Sequence, residues 1–469
     1  MTRDYNYSQY NAIIRKYLKN NNNVFINSLS VLCTINKNFF LSNKDFFLKK
    51  EKLFYFKLLF AILKISLKFF ILLGKDKSKI KTSKKKILFL SHSVIMDKKK
   101  ITDNYFKEII NYFKITKSKF DTKYILQTSK LLIINDNYFN GNSLGFLDEI
   151  KIIISLIKLS ISKLLLNVFR LDDFSKKIIL DVVSGNTYKN VRIANEILNY
   201  LKKNNTKKIF ITYEGHGYEK LICYYVKTYL PNTRVYGYQT TCMSKDQSFL
   251  ANPKINLIPH KILLSRKTDI NLFKFKNLFF NPMYLGKIKP YKKKCQYWKL
   301  SDNKKQINIL ILIDRFNKKD LNQIFTFSTL FRNNKKFKLT FRPHPVFYSY
   351  FKKYYHYKSL SNVKNFFIDN SVSIENSFIK NDIVIFNQSS LFIKSFSFGI
   401  FPIYFKYNSE NFEDIFNNIE KPNLNDSNEL ISLINNFKKI NRKYQFKKYL
   451  SFEQNFFFNR NNSLKKIFS

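Results

Sequence analysis

The 469-residue chain is short of the residues that punctuate or tie down small folds: 9 glycines, 9 prolines, 5 histidines, 4 cysteines and a single tryptophan. Cys33, Cys223, Cys242 and Cys295 stand far apart, with no Cys-x-x-Cys pair. That spacing excludes a disulfide framework or a zinc ribbon and fits reduced thiols in the cytoplasm. The opening stretch, "MTRDYNYSQYNAIIRKYLKNNNN", has no apolar core followed by a cleavage site, so it is not expected to be a secretory signal. Acidic residues are also scarce, 32 against 83 Lys and Arg, leaving a formal net charge of +51. Such a field attracts polyanions: nucleic acid, anionic lipid or phosphorylated substrates. No zinc finger, RNP aromatic box or basic zipper is present, so specific nucleic-acid binding is not expected. Part of the charge reflects composition, because Lys far outnumbers Arg while Asn, Ile, Phe and Tyr are abundant together, as an AT-rich coding sequence would produce.

What the chain does have is apolar mass. Hydrophobic residues make up 45% of it, with 50 Phe and 30 Tyr, enough to build large cores and to exclude disorder by composition. Its length exceeds what one core serves, so two domains with appendages are expected.

Residues 53–73, "LFYFKLLFAILKISLKFFILL", are long enough to span a bilayer, but Lys57, Lys64 and Lys68 oppose it. At 100° per residue the three lysines fall within about 40° of one another, a single stripe on an otherwise apolar helix. A basic run, "KDKSKIKTSKKK", follows directly. The pattern fits an interfacial helix on an anionic leaflet, or a core helix whose lysines reach the edge. Residues 1–86 are accordingly expected to form a helical, basic, membrane-associating extension.

Past Lys86 the texture changes to short apolar runs separated by helical stretches. Strands are expected at "KKILFLSHSV", at 123–127, 207–214, 233–239 and 260–265, with helices at 148–167 and 189–203. Residues 286–306 read as a polar linker carrying the only Trp. The alternation then restarts, with strands at 307–313, 337–342, 364–369, 382–387 and 400–405, and a helical segment over 427–469. The expected fold is α/β: two tandem Rossmann-like domains, 87–285 and 307–426, with the helical N-terminal extension.

Ligands of open parallel sheets bind beyond the carboxyl ends of the strands. There the sequence places His92, ending the first strand; Glu214 and His216, in the glycine-flanked stretch "ITYEGHGYEK"; Arg342, His344 and Pro345, in "FRPHP"; and Gln388, Ser389 and Ser390, in "FNQSS". Two serines opening a helix offer hydroxyls and free N–H groups to a phosphate, or serve only as an N-cap. An imidazole between prolines donates to the same phosphate, or marks only a rigid turn.

"RPHP" followed by "NQSS" and "SFSFGIFPI" resembles the second domain of bacterial surface-polysaccharide glycosyltransferases of the GT-B fold. Capsule sialyltransferases and Kdo transferases show a similar His-Pro motif, then a Ser-Ser/Thr motif. The stretch around Glu214 is similar to that family's first-domain acidic loop, and "ILFLSHSVIMDKKKITDNYF" to the start of surface-carbohydrate biosynthesis proteins. The resemblance covers roughly residues 87–410. It implies an inverting, metal-independent transferase, which the absence of any D-x-D triplet fits. It further implies an N-terminal acceptor domain, a C-terminal donor domain and no bound cofactor beyond a nucleotide-sugar co-substrate, with CMP as the family's nucleotide. By the same resemblance Arg342, His344, Pro345, Gln388, Ser389 and Ser390 hold the donor phosphate. Glu214 is then the base, with His216 and His92 as the other catalytic candidates. The acceptor implied is a cell-surface glycan or lipid-linked glycan at the cytoplasmic face of the membrane. Lys394 stands where many such enzymes carry a ribose-binding glutamate, and Glu214 is preceded by Tyr213 rather than by a second acid. A CDP-glycerol-type glycerophosphotransferase, a sugar-nucleotide epimerase and a non-catalytic scaffold in polysaccharide assembly remain the alternatives.

Overall fold

The computed structural model describes residues 53–73, 85–93, 119–126, 143–166, 173–214, 216–239, 255–266, 282–285, 295–301, 304–312, 334–343, 365–369, 374–386, 391–405, 419–424, 428–436 and 444–457, with isolated positions between. The chain divides into two compact units, one built mainly from residues 6–288 and the other mainly from 289–458. Each holds its own fully parallel sheet, so the α/β character and the two tandem Rossmann-like folds are as the sequence indicates.

The first sheet comprises β1 (Ile87–Ser93), β2 (Phe120–Leu126), β3 (Tyr138–Phe139), β4 (Lys208–Thr212), β5 (Arg234–Gln239), β6 (Lys261–Leu264) and β7 (Pro282–Tyr284), in the order β3-β2-β1-β4-β5-β6-β7. This is a doubly wound order whose direction reverses between β1 and β4. The strands are apolar runs because helices cover a parallel sheet on both faces. In-register aromatics tie the centre together. Phe89 of β1 stacks on Phe210 of β4 at 4.9 Å between ring centroids, and Phe210 stacks on Tyr236 of β5 at 4.7 Å. Such cross-strand pairs contribute about 0.2–1 kcal/mol each.

Helices α1 (Phe54–Leu73), α2 (Phe146–Leu166), α3 (Asp173–Val182), α4 (Gly185–Lys203) and α5 (Gly217–Tyr229) belong to the same unit. Helix α1, expected within a separate extension, packs against α2, α3 and α4. Among the described residues, no helix is long and apolar enough to cross a membrane. Ser184 caps α4 by accepting from the Thr187 amide at 3.2 Å, and Lys202 and Lys203 sit in its last turn, each favourable to a helix end. A buried network joins α2 to α4. Arg192 Nε donates to Glu149 Oε1 at 2.7 Å, its Nη2 donates to the Gly141 carbonyl at 2.8 Å, and Tyr188 Oη donates to Glu149 Oε2 at 2.8 Å. Glu196 accepts the amides of Gly141 and Ser143, so the turn after β3 is clamped to α4 by charge-assisted bonds.

The second sheet comprises β8 (Ile307–Leu312), β9 (Phe337–Phe341), β10 (Phe366–Ile368), β11 (Ile383–Phe386), β12 (Phe401–Phe405) and β13 (Asn423–Leu424), in the order β10-β9-β8-β11-β12-β13, again reversing at the centre. Helices α6 (Ile374–Lys380), α7 (Leu391–Lys394), α8 (Asn428–Asn435) and α9 (Phe446–Phe457) accompany it. The segment read as a linker contributes to this core. Trp298 is buried, meets Phe401, Phe446 and Tyr449 edge-on, and donates its indole N–H to the Tyr444 carbonyl at 3.0 Å. Its polar neighbours disguise it, because only the indole and a few flanking side chains turn inward. The C-terminal helices likewise pack into this unit's own core through Leu430, Ile434, Phe446 and Tyr449. Gly399 turns the chain into β12 at a φ of +71°, and a Cβ there would lie 2.6 Å from the Tyr297 carbonyl oxygen, so glycine is required.

Candidate functional site

The first-unit site forms where β4 ends and α5 begins. Tyr213 follows the strand and is fully buried, with its amide donating to the Tyr238 carbonyl. It lies so close to β5 that a Cβ on Gly237 would approach Tyr213 Cβ to 2.9 Å and Pro259 Cγ to 2.6 Å. Gly237, in the "GYQ" of the sequence, therefore seats the strand end from which Glu214 projects.

Glu214 and His216 are brought together, His216 Nε2 lying 3.5 Å from Glu214 Oε2, and both side chains remain partly open to solvent. The imidazole stacks on Tyr218 at 5.6 Å. Beneath them lies a residue that the sequence reasoning did not single out. Glu219, wholly buried, accepts the Glu214 amide at 2.9 Å and the His216 amide at 2.8 Å through Oε2. It stands three residues into the turn from the N-cap His216, the spacing at which a helix glutamate reaches back to its own start. The H-x-x-E spacing before an apolar helix was the available signal. Without Ser or Thr at the cap it does not read as a capping motif.

Three titratable groups on one loop are coupled. Burial pushes the Glu219 carboxyl up to about 7, the Glu214 charge pushes the same way, and the His216 imidazole opposes both. For His216, burial pulls the imidazole down, but the carboxylates of Glu219 and Glu214 outweigh it and the net direction is up. The arrangement is a carboxylate–imidazole pair at the strand end, over a buried carboxyl that accepts two backbone amides and holds the loop in shape.

His92 joins this end of the sheet through the backbone. Leu90 pairs with Ile211, so two residues further on His92 stands level with Tyr213 on the adjacent strand. The candidates thus lie at the carboxyl ends of β1 and β4, the strands between which the order reverses, where open sheets bind ligands. His260 belongs elsewhere. It precedes β6, its Nδ1 accepts the Val235 amide at 3.0 Å, and burial with Lys227 and Arg234 lowers it to about 4, so it is a structural acceptor.

In the second unit, Ser389 follows β11 beside the corresponding reversal between β8 and β11. It is buried, and its Oγ accepts the Leu391 amide at 3.4 Å. The helix expected to open at the serines is α7, only four residues long, so its dipole is weak. Arg342 follows β9. Its Nη1 donates to Asp369 Oδ2 at 3.0 Å and to Ser377 Oγ at 2.9 Å, while Ser377 donates to the same carboxylate. One edge of that guanidinium is therefore engaged within the unit. His344, Pro345, Gln388 and Ser390 lie outside the described residues.

No protein-family model matches the chain, and no curated protein matches it in sequence. Solved structures do resemble it in shape. The UDP-GlcNAc 2-epimerase of Methanocaldococcus jannaschii, in complex with UDP-GlcNAc and UDP, matches at 10% identity and a TM-score of 0.47, covering 81% of this chain and 98% of the other. The lipopolysaccharide outer core galactosyltransferase WaaB matches at 11% identity and a TM-score of 0.44, covering 81% and 97%. The S. aureus MnaA structure with UDP matches at 9% identity and a TM-score of 0.47, covering 82% and 95%. At these identities and scores the likeness carries no argument about activity.

Proposed function

We infer that the chain is a glycosyltransferase of GT-B type, which moves a sugar from a nucleotide-sugar donor to a surface-polysaccharide or lipid-linked glycan acceptor. One observation carries this reading: Glu214 and His216 form a carboxylate–imidazole pair at the carboxyl end of β4, beside the reversal of strand order. In the inverting reaction, Glu214 takes the proton of an acceptor hydroxyl as that oxygen attacks the anomeric carbon. The bond from that carbon to the nucleotide phosphate breaks, and the negative charge leaves with the nucleotide. His216, 3.5 Å from the Glu214 carboxylate, holds it in place. In the second unit, Ser389 and the "RPHP" stretch are assigned to the donor phosphate, which CMP supplies in the family that these motifs resemble. No metal takes part in this scheme, and the reaction takes place at the cytoplasmic face of the membrane.

The test has two arms. A thermal-shift panel of CMP, CDP, UDP, GDP and their sugars identifies the nucleotide, since a ligand at 100 times its dissociation constant stabilises by about 2.7 kcal/mol. Product analysis with the active donor then separates sugar transfer from transfer of a phosphate-bearing alditol, epimerisation or no turnover. Single-turnover rates assign the base. Glu214→Gln is expected to bind donor normally and to lose about 10²–10⁴-fold in rate. Near-normal turnover in Glu214→Gln, with collapse in His216→Ala or His92→Ala, would move the base to that histidine.

A further inference from the structure

Helix α1 is neither buried in a core nor a span. On a helical projection its residues sort into three sectors. Phe54, Ile65 and Phe69 are buried against the rest of the unit. Phe56, Leu59, Phe60, Leu63, Leu67 and Phe70 occupy an arc of about 100° on the other side, and each is between 57% and 66% exposed. Lys57, Lys64 and Lys68 fill the gap on one flank between the two sectors.

Helix α2 repeats the arrangement. Its buried sector holds Glu149, Ile152, Ile153 and Leu156, while Leu147, Ile154, Ile161 and Leu165 project outward, Leu147 and Leu165 each more than 65% exposed. Lys151 and Lys158, both exposed, adjoin that outward sector. The two helices pack together, with Phe69 of α1 against Phe146 of α2 at 5.7 Å. Exposed apolar surface concentrated in this way marks an interaction site rather than scatter.

We propose that the outward sectors of α1 and α2 form one bipartite face that docks, without spanning, on an anionic lipid bilayer. Charge selects this occupant. Helix α1 contains no acidic residue; Lys68 turns toward Gly185 of α4, while the exposed Lys57 and Lys64 flank the outward sector, where an ammonium group reaches phosphate headgroups as the phenylalanines and leucines enter the acyl boundary. The run "KDKSKIKTSKKK" continues the positive charge directly after α1. A second copy of the chain is a poor alternative, since pairing would bring together two molecules of +51. The sequence suggests α1 alone as an interfacial helix; the structure adds α2 and shows which third of α1 is reserved for the protein. Docking does not depend on the glycosyl-transfer reading and is tested without turnover.

The experiment is vesicle flotation of the full chain with phosphatidylcholine, alone or mixed with phosphatidylglycerol. Binding to the anionic vesicles is expected to be at least about tenfold tighter, and to weaken about tenfold or more between 0.1 and 0.5 M salt. Leu63→Glu with Leu67→Glu on α1, and separately Ile154→Glu with Ile161→Glu on α2, should each reduce binding at least about tenfold. Phe60→Trp, which keeps the face apolar, guards against misfolding. The emission it adds over the wild type, whose Trp298 is buried, should be that of a solvated indole in buffer and shift to the blue with anionic vesicles. A blue-shifted difference emission before lipid is added would show the face covered by the protein's own chain or by a second copy, and would overturn the proposal. So would equal binding by the glutamate variants, or by neutral and anionic vesicles.

Discussion

Replacing Glu219 with glutamine should flatten the pH dependence of stability in the first unit. The carboxyl is wholly buried and lies at about 7 in the folded protein, against an ordinary 4.5. The folded state thus holds this proton more tightly than the unfolded chain does. The stabilisation is fully present below about 4.5 and is lost as pH rises through about 7. At about 1.36 kcal/mol per pH unit of displacement, the loss amounts to roughly 3 kcal/mol. His216 is displaced in the same upward direction, so its contribution also fades as pH rises through its folded value, and the two steps overlap. Glutamine retains a carbonyl oxygen to accept the amides of Glu214 and His216 but cannot ionise. The variant should therefore match the wild type near pH 4.5 and exceed it above pH 7. Tryptophan fluorescence is blind to this change, because Trp298 belongs to the other unit. The proper assay is hydrogen exchange of peptides covering Lys208–Thr212 and Arg234–Gln239, corrected for the intrinsic pH dependence of exchange. Parallel wild-type and variant profiles from pH 4.5 to 8 would refute the argument.

Arg192→Ala should destabilise the first unit by about 3–5 kcal/mol in the same exchange assay, because it strands the buried Glu149; adding Glu149→Gln should recover part of the loss. Gly237→Ala should cost about 1–3 kcal/mol, and should lower transfer activity too, since the new methyl displaces Tyr213 beside Glu214. Trp298→Ala should cost about 3–5 kcal/mol and lower the urea midpoint of the second unit, followed by circular dichroism, while exchange in β4 and β5 is unchanged.

The strands were legible because parallel sheets covered on both faces demand unbroken apolar runs, and "INILILI" or "DIVIFN" admit no other reading. The short edge strands β3, β7 and β13, of two or three residues, carry no period and were missed. Helix α3 was missed as well, because "DFSKKIILDV" is too short to establish a face by itself. At the site, Glu214 and His216 stood out through glycines and histidine in a chain poor in both. Glu219 did not, since a glutamate in a helix is ordinary until burial makes it otherwise. Trp298 was misread for the converse reason: its sequence neighbours are polar, and its partners Phe401, Phe446 and Tyr449 lie at least a hundred residues further along.

That last separation bears on how the protein is made. The second core is closed by one aromatic wall in which Trp298 meets Phe446 and Tyr449, so that wall joins residues from near the start and near the end of the stretch 289–458. The ribosome emits roughly 5–20 residues per second, and the six strands between Trp298 and Phe446 emerge before the closing helix does. For that interval the nascent sheet is missing its final aromatic wall, whereas the seven-stranded sheet has all its strands by Tyr284 and can close while the rest is still being translated. A stop or cleavage just before Tyr444 would thus spare the first fold and leave the second with an open core, a substrate for chaperones and proteases rather than a working half of the protein.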